Sequence, residues 1–179
     1  LVHLRTGDVT ALNLQALARA VGVSRGAPYH HFPDKLALLA ALAEEGFELW
    51  LAQAESVVAR APTPAAALAA LAQCWLDFAS RRPEHYRVMF LRDVEDRVRF
   101  ASLHTTSGRG MELLVRTLAQ LAPEAAVDEL LARAVSLWAT VHGFAALRDA
   151  RVLSNIPGLP ALPVLEAEVL AAVGERATP

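Results

Sequence analysis

Cysteine, lysine and aromatic residues are all scarce in this sequence. A single cysteine, Cys74, excludes an internal disulfide and suits a reducing compartment. Lys35 is the only lysine, so every other basic side chain is arginine. Aromatic residues make up 6% of the chain, and β-branched residues are sparse beside alanine and leucine. That composition favours helix wherever packing does not decide, and an all-α fold is expected. Every apolar run is broken by Arg, Glu, Asp, Gln or His before the roughly 20 residues that a bilayer span needs, so no membrane helix is expected. Residues 1–5 have neither the basic segment nor the apolar core of a secretory signal, and a cytoplasmic location follows as an expectation. The chain does not open on Met, and residues upstream of Leu1 are therefore expected. The His-Glu-x-x-His and paired Cys-x-x-Cys patterns of metal sites are missing. The nucleophile and ligand types that are present, His30-His31, Cys74, Glu84-His85, His104 and His142, form no such spacing, so neither a metal, nor a cofactor, nor catalysis is expected.

What is present is 179 residues, 54% hydrophobic and 20% charged, enough for one packed globular body with a small head. The net charge of −2 argues against a nucleic-acid partner if it is averaged over the chain. Its distribution argues otherwise. Residues 1–35 carry Arg5, Arg19, Arg25 and Lys35 against Asp8 and Asp34, whereas residues 36–179 hold 13 basic and 17 acidic side chains.

Apolar residues at Leu14, Leu17, Ala18 and Val21 recur at helical spacing behind Asn13, a competent N-cap, and Gly22 stops that helix. Ser24 is placed to cap a second short helix running to about His31, and Phe32-Pro33-Asp34-Lys35 breaks it and starts a third. Two short helices around a tight glycine turn make a helix-turn-helix. One long helix is expected from Lys35 to about Arg60, and Thr63-Pro64 opens another bearing Leu68, Leu71, Trp75 and Phe78. A short helix follows Pro83. A helical stretch from about Glu95 to Leu121 should bend near Ser107-Gly108-Arg109-Gly110, a long helix should run from Glu124 to about Asp149 with Leu130 and Leu131 on its apolar face, and the last should span Val164 to Val173.

The run from Leu14 to Lys35 closely resembles the DNA-binding segment of TetR-family regulators. The resemblance lies in a small-residue first helix ending Ala18-Arg19-Ala20-Val21-Gly22-Val23-Ser24, a reading helix ending Tyr29-His30-His31-Phe32, and Lys35 opening the next helix. Physical chemistry supports the same use. A major groove about 12 Å wide accepts one helix, and Gly26 and Ala27 permit close approach. Arg25 is suited to a bidentate contact with guanine, and Ala27 and Pro28 to a thymine methyl. The resemblance makes Tyr29, His31 and Lys35 phosphate contacts, which fix register without reading sequence. Asn13 and Gln15 add contacts at a helix N-terminus, and Ser24 and His30 complete the DNA-facing set. Family members also carry a complete helix ahead of this segment, of which only Leu1 to Thr6 is present here, followed by Gly7.

Further along, Arg82-Pro83-Glu84-His85-Tyr86-Arg87-Val88-Met89-Phe90 and Trp138-Ala139-Thr140-Val141-His142-Gly143 are similar to segments in a branch of that family with a Trp/His/Gly-bearing C-terminal domain. The resemblance implies a DNA-binding head at 1–46 and a ligand-binding, dimerising body at 47–179. Trp75, Phe78, Met89, Phe90, His104, Met111, Trp138 and His142 are the candidate ligand residues, being bulky or amphipathic on inward faces. For each of them plain core packing is the commoner use of such a residue. Leu137, Val141, Phe144 and Leu147 with Val164, Leu165, Val169 and Val173 offer apolar surface to either a dimer interface or the core. The function expected is that of a homodimeric, ligand-responsive regulator, a repressor released from double-stranded operator DNA by a small, largely apolar effector. The alternative is an α-helical small-molecule-binding protein or enzyme without DNA binding.

Overall fold

The computed structural model describes residues 13–177, and among them there are seven α-helices and no strand. The helix remnant expected at Leu1 to Thr6 lies outside the described residues. Helix α1, Leu14–Ala20, begins as the sequence predicts: Asn13 Oδ1 accepts from the backbone N–H of Gln15 at 2.8 Å and of Ala16 at 3.4 Å. It ends in a Schellman turn. Gly22 sits at φ +77, the Val23 N–H donates to Ala18 O at 2.9 Å and the Gly22 N–H to Arg19 O at 3.3 Å.

The second motif helix departs from expectation. The chain makes only a 3-10 turn, Ala27–His30, after a turn in which the Ala27 N–H donates to Ser24 O at 3.1 Å. Pro28 explains the difference, because it has no N–H to donate to Ser24 O, the bond with which an α-helix capped at Ser24 would open. Helix α2, Lys35–Arg60, then starts behind Asp34, whose Oδ1 accepts from the Ala37 N–H at 2.9 Å.

Helices α3, Pro64–Arg81, and α4, Pro83–Met89, follow, then α5, Ala101–Leu121, α6, Val127–Asp149, and α7, Leu162–Ala177. Thr63 caps α3 as expected, its hydroxyl oxygen accepting from the Ala66 N–H at 3.1 Å. Two corrections concern α5. It starts at Ala101 and not Glu95, because Asp96 Oδ1 gathers the N–H groups of Val98 and Arg99 at 3.0 and 2.9 Å into a local turn. It also runs unbroken through Ser107-Gly108-Arg109-Gly110. Gly110 answers a packing need there: a Cβ would stand 2.6 Å from Trp50 Cζ3.

The chain forms two compact units, one made of the chain up to Glu48 together with Glu84–Ser107, the other of Leu49–Pro83 and the chain from Gly108 onward. The unit that holds the motif thus also takes in the segment Glu84–Ser107. In it, Met89 packs where Gly46 leaves room, a Cβ at 46 lying 2.9 Å from Met89 Cγ, and buried His85 places Nε2 3.3 Å from Glu45 Oε2. Glu44 accepts from the hydroxyls of Ser102 and, at 3.3 Å, Thr106. Asp34 pairs with Arg99, whose guanidinium lies 4.9 Å from the Phe100 ring centre.

In the second unit α3, α6 and α7 pack on one another around Leu68, Leu71, Leu76, Phe78, Leu130 and Leu137. Arg148 on α6 donates to Leu76 O at 2.6 Å and pairs with Glu166 on α7 at 3.1 Å. Leu131, expected on the apolar inner face of α6, is 44% exposed. The sequence reading found no stretch fit to span a bilayer, yet α6 is long and apolar enough by length and composition. A helix packed in a bundle core meets the same criteria.

Candidate functional site

Ser24, Arg25, Gly26, His30 and His31 are exposed, Tyr29 is 47% exposed, and Ala27 and Pro28 are half-buried. The sequence therefore spends a cation, two imidazoles and a phenol on one short surface run that contributes little to the core. Gly26 is the most telling member. Its φ of −85 suits any residue, and a Cβ would meet nothing within 4 Å. The fold itself gives no reason for glycine here, whereas a duplex pressed against the backbone would. Asn13 and Gln15 are exposed at the start of α1, although the Asn13 side chain is engaged in capping. Lys35, half-buried, is the first residue of α2.

Asp34 and Arg99 are additions that the sequence did not announce. The Ala37 N–H and the Arg99 guanidinium hold the Asp34 carboxyl below the usual aspartate range. That ionised carboxylate caps α2 next to Lys35 and ties its start to a residue 65 positions away. Only the cap half of this arrangement is legible locally, since Asp34 ends the Phe32-Pro33-Asp34 break.

The eight candidate ligand residues divide between the two units. Met89 is buried and Phe90 half-buried in the first, where the Phe90 ring lies 6.0 Å from Phe47 and 5.4 Å from Tyr86. His104, in the same unit, encloses an Nε2 with no hydrogen-bond partner among the described residues. In the second unit Phe78 is core, and Met111 lines a shallow, open depression of about 370 Å³ with Glu112, Val115, Arg116 and Leu131. Trp75, Trp138 and His142 come together, with ring centres 6.2 Å apart for Trp75 and His142 and 5.5 Å for Trp138 and His142. Burial pushes the His142 imidazole below its ordinary value, so it is neutral at neutral pH.

Trp50 joins this group and was missed. Its ring stands edge-on to Trp75 at 5.0 Å and an interplanar angle of 86°. Trp50 is 7% exposed, and its Nε1 is buried with no acceptor among the described residues. Leaving such a donor unsatisfied costs about 1–3 kcal/mol. Burial, with Asp77 nearby, pushes the Cys74 thiol up to about 11, which makes it a poor nucleophile at neutral pH.

Residues 5–42 match the bacterial regulatory proteins of the tetR family, and residues 68–169 match the tetracyclin repressor-like C-terminal domain. No curated protein matches the sequence. Among solved structures, a Rhodococcus sp. RHA1 protein of unknown function is 31% identical over 97% of this chain and 87% of its own, with a TM-score of 0.73. A tetR-family regulatory protein from Rhodococcus RHA1, 15% identical, shares the fold over 98% of this chain and 90% of its own at a TM-score of 0.74. An all-α chain that exposes a short polar segment behind a capped helix, and that matches both halves of one family, belongs to the TetR family of DNA-binding transcriptional regulators.

Proposed function

We propose that this regulator is a ligand-responsive repressor, active as a homodimer in the cytoplasm and without catalysis of its own. The ligand-free dimer holds operator DNA through Arg25, Tyr29 and their neighbours, and a small, largely apolar effector in the body releases it. The observation that carries the reading is the exposed run from Ser24 to His31, above all Gly26, whose small size the fold does not need. In the groove, Arg25 reads a guanine while Tyr29, His31 and Lys35 contact phosphates.

Two reading segments must meet successive major grooves about 34 Å apart, and that spacing calls for a paired molecule. Exposed apolar residues support pairing. Val127, Leu131 and Val135 recur every four residues along α6 and are 69%, 44% and 50% exposed. Leu137, Val141, Phe144 and Val173, also considered for an interface, are buried within the chain, whereas Leu147 and Val164 remain exposed. Helix α2 contributes to both units and is the covalent path by which an effector acts on the head. A 5- to 150-fold change in DNA affinity needs only about 1–3 kcal/mol of coupling.

The test is a mobility-shift titration on the DNA flanking the protein's own gene, at several salt concentrations. Arg25→Ala combined with Tyr29→Ala is expected to weaken binding by about 10- to 100-fold and to flatten its salt dependence, with the fold retained. Binding that ignores both substitutions removes the basis for the assignment, and a chain with no salt-dependent retention on DNA is instead a small-molecule carrier or enzyme.

A further inference from the structure

We propose that the effector is an uncharged, planar, apolar molecule with a hydrogen-bond acceptor, held among Trp50, Trp75, Trp138 and His142 with that acceptor on Trp50 Nε1. The inference rests on the effector-responsive reading above and adds the chemistry of what is bound.

Three observations converge on it. Trp50 Nε1 is a buried donor without an acceptor among the described residues, on a side chain only 7% exposed. An indole nitrogen donates and never accepts, so the group that satisfies it must bring a carbonyl, ether or pyridine-type lone pair. The indole is also fixed in place. Gly110 lets the backbone of α5 come close to its outer edge, and Trp75 stands against it edge to face, so the N–H direction is set before anything binds.

The surroundings determine the rest of the ligand. Trp75 on α3 and Trp138 and His142 one turn apart on α6 present aromatic edges and faces, which select a flat apolar body. None of these rings carries a formal charge once His142 is neutral, so a carboxylate or phosphate entering here would lose its hydration without gaining a counter-ion. A quaternary ammonium held by cation–π contacts is the competing chemistry, and it makes no use of the Trp50 N–H.

Coumarin, a flat neutral lactone, naphthalene, of similar size without an acceptor, and benzyltrimethylammonium separate these cases. Binding to the full-length protein is followed by calorimetry and by the indole N–H resonances, of which three tryptophans give three. Coumarin is expected to bind saturably, at least tenfold more tightly than naphthalene, and to move the Trp50 indole proton downfield. Trp50→Phe is expected to erase coumarin's advantage while leaving naphthalene binding within about twofold. The resonance shift in the unsubstituted protein decides the matter even if that variant folds poorly. Equal binding of coumarin and naphthalene, an unmoved Trp50 resonance, preference for the ammonium, or no binding at all overturns the proposal. DNA retention is measured in parallel. Coumarin bound through Trp50 with DNA affinity unchanged leaves this site standing and refutes effector control, whereas DNA release by compounds indifferent to Trp50→Phe does the reverse.

Discussion

The reading segment of the head and the aromatic cluster of the body use their residues in opposite ways. From Ser24 to His31 the side chains face outward and the fold asks little of them, as Gly26 shows by having open space where its Cβ would be. From Trp50 to His142 nearly everything is committed to packing, and the Trp50 N–H is left without an acceptor among the described residues. The proposed DNA contacts are therefore legible in the head as residues the core does not need, and the proposed effector site in the body as an atom the core fails to satisfy. The same contrast exists inside one helix. A Cβ at Gly110 would stand 2.6 Å from the Trp50 ring, while at Gly108 nothing lies within 4 Å.

Substitutions in that helix test the contrast most strongly. Gly110→Ala should destabilise the protein by about 1–3 kcal/mol from overpacking, less the fraction of a kcal/mol that alanine returns to a helix interior. Urea unfolding measures it, and an unchanged midpoint would mean that Trp50 is not held where described. Next in size is Arg148→Ala, which removes the donor to Leu76 O and the partner of Glu166. At 16% and 24% side-chain exposure this pair is partly screened, and a loss of about 1–2 kcal/mol is expected by the same measurement.

Gly108→Ala carries the opposite sign. With open space around it and a helical backbone, it should stabilise by about 0.5–1 kcal/mol. If both alanines act alike, glycine in α5 is a matter of helix propensity alone and the close approach of Trp50 is irrelevant.

The smallest effect belongs to Asp34 in the head. Its carboxyl titrates below the aspartate value of 3.8, chiefly through the Ala37 N–H and then Arg99. The stabilisation is present above the unfolded-state value and fades as pH falls through the lower folded one. Unfolding followed from pH 6 to pH 2 should show an acid limb that is shallower in Asp34→Asn than in the unsubstituted protein. Parallel limbs would assign the acid sensitivity elsewhere.

Much of this was written in local sequence. Asn13, Gly22, Thr63 and Pro64 mark helix ends because caps and positive φ are decided within a few residues, and they stand where predicted. The second motif helix is shorter than Ser24 as a cap implies, because Pro28 lacks the N–H that the first turn of an α-helix from Ser24 needs. The bend expected near Ser107-Gly108-Arg109-Gly110 is absent for a different reason. Glycine there accommodates Trp50, a partner 60 positions away that no local pattern reveals. Arg99 on Asp34 and Trp50 beside Trp75 are likewise pairings that exist only after the chain has folded back.

The link between Asp34 and Arg99 bears on how regulators of this kind can be recombined. A chimera joined just after residue 46 transplants the cap of α2 without Arg99, and leaves Glu44 and Glu45 without Ser102, Thr106 and His85. A transplant that keeps Glu84–Ser107 with the head carries these partners along. With the DNA contacts assigned as proposed, the natural cassette for swapping operator specificity is discontinuous in the gene, two separate stretches of coding sequence that must travel together.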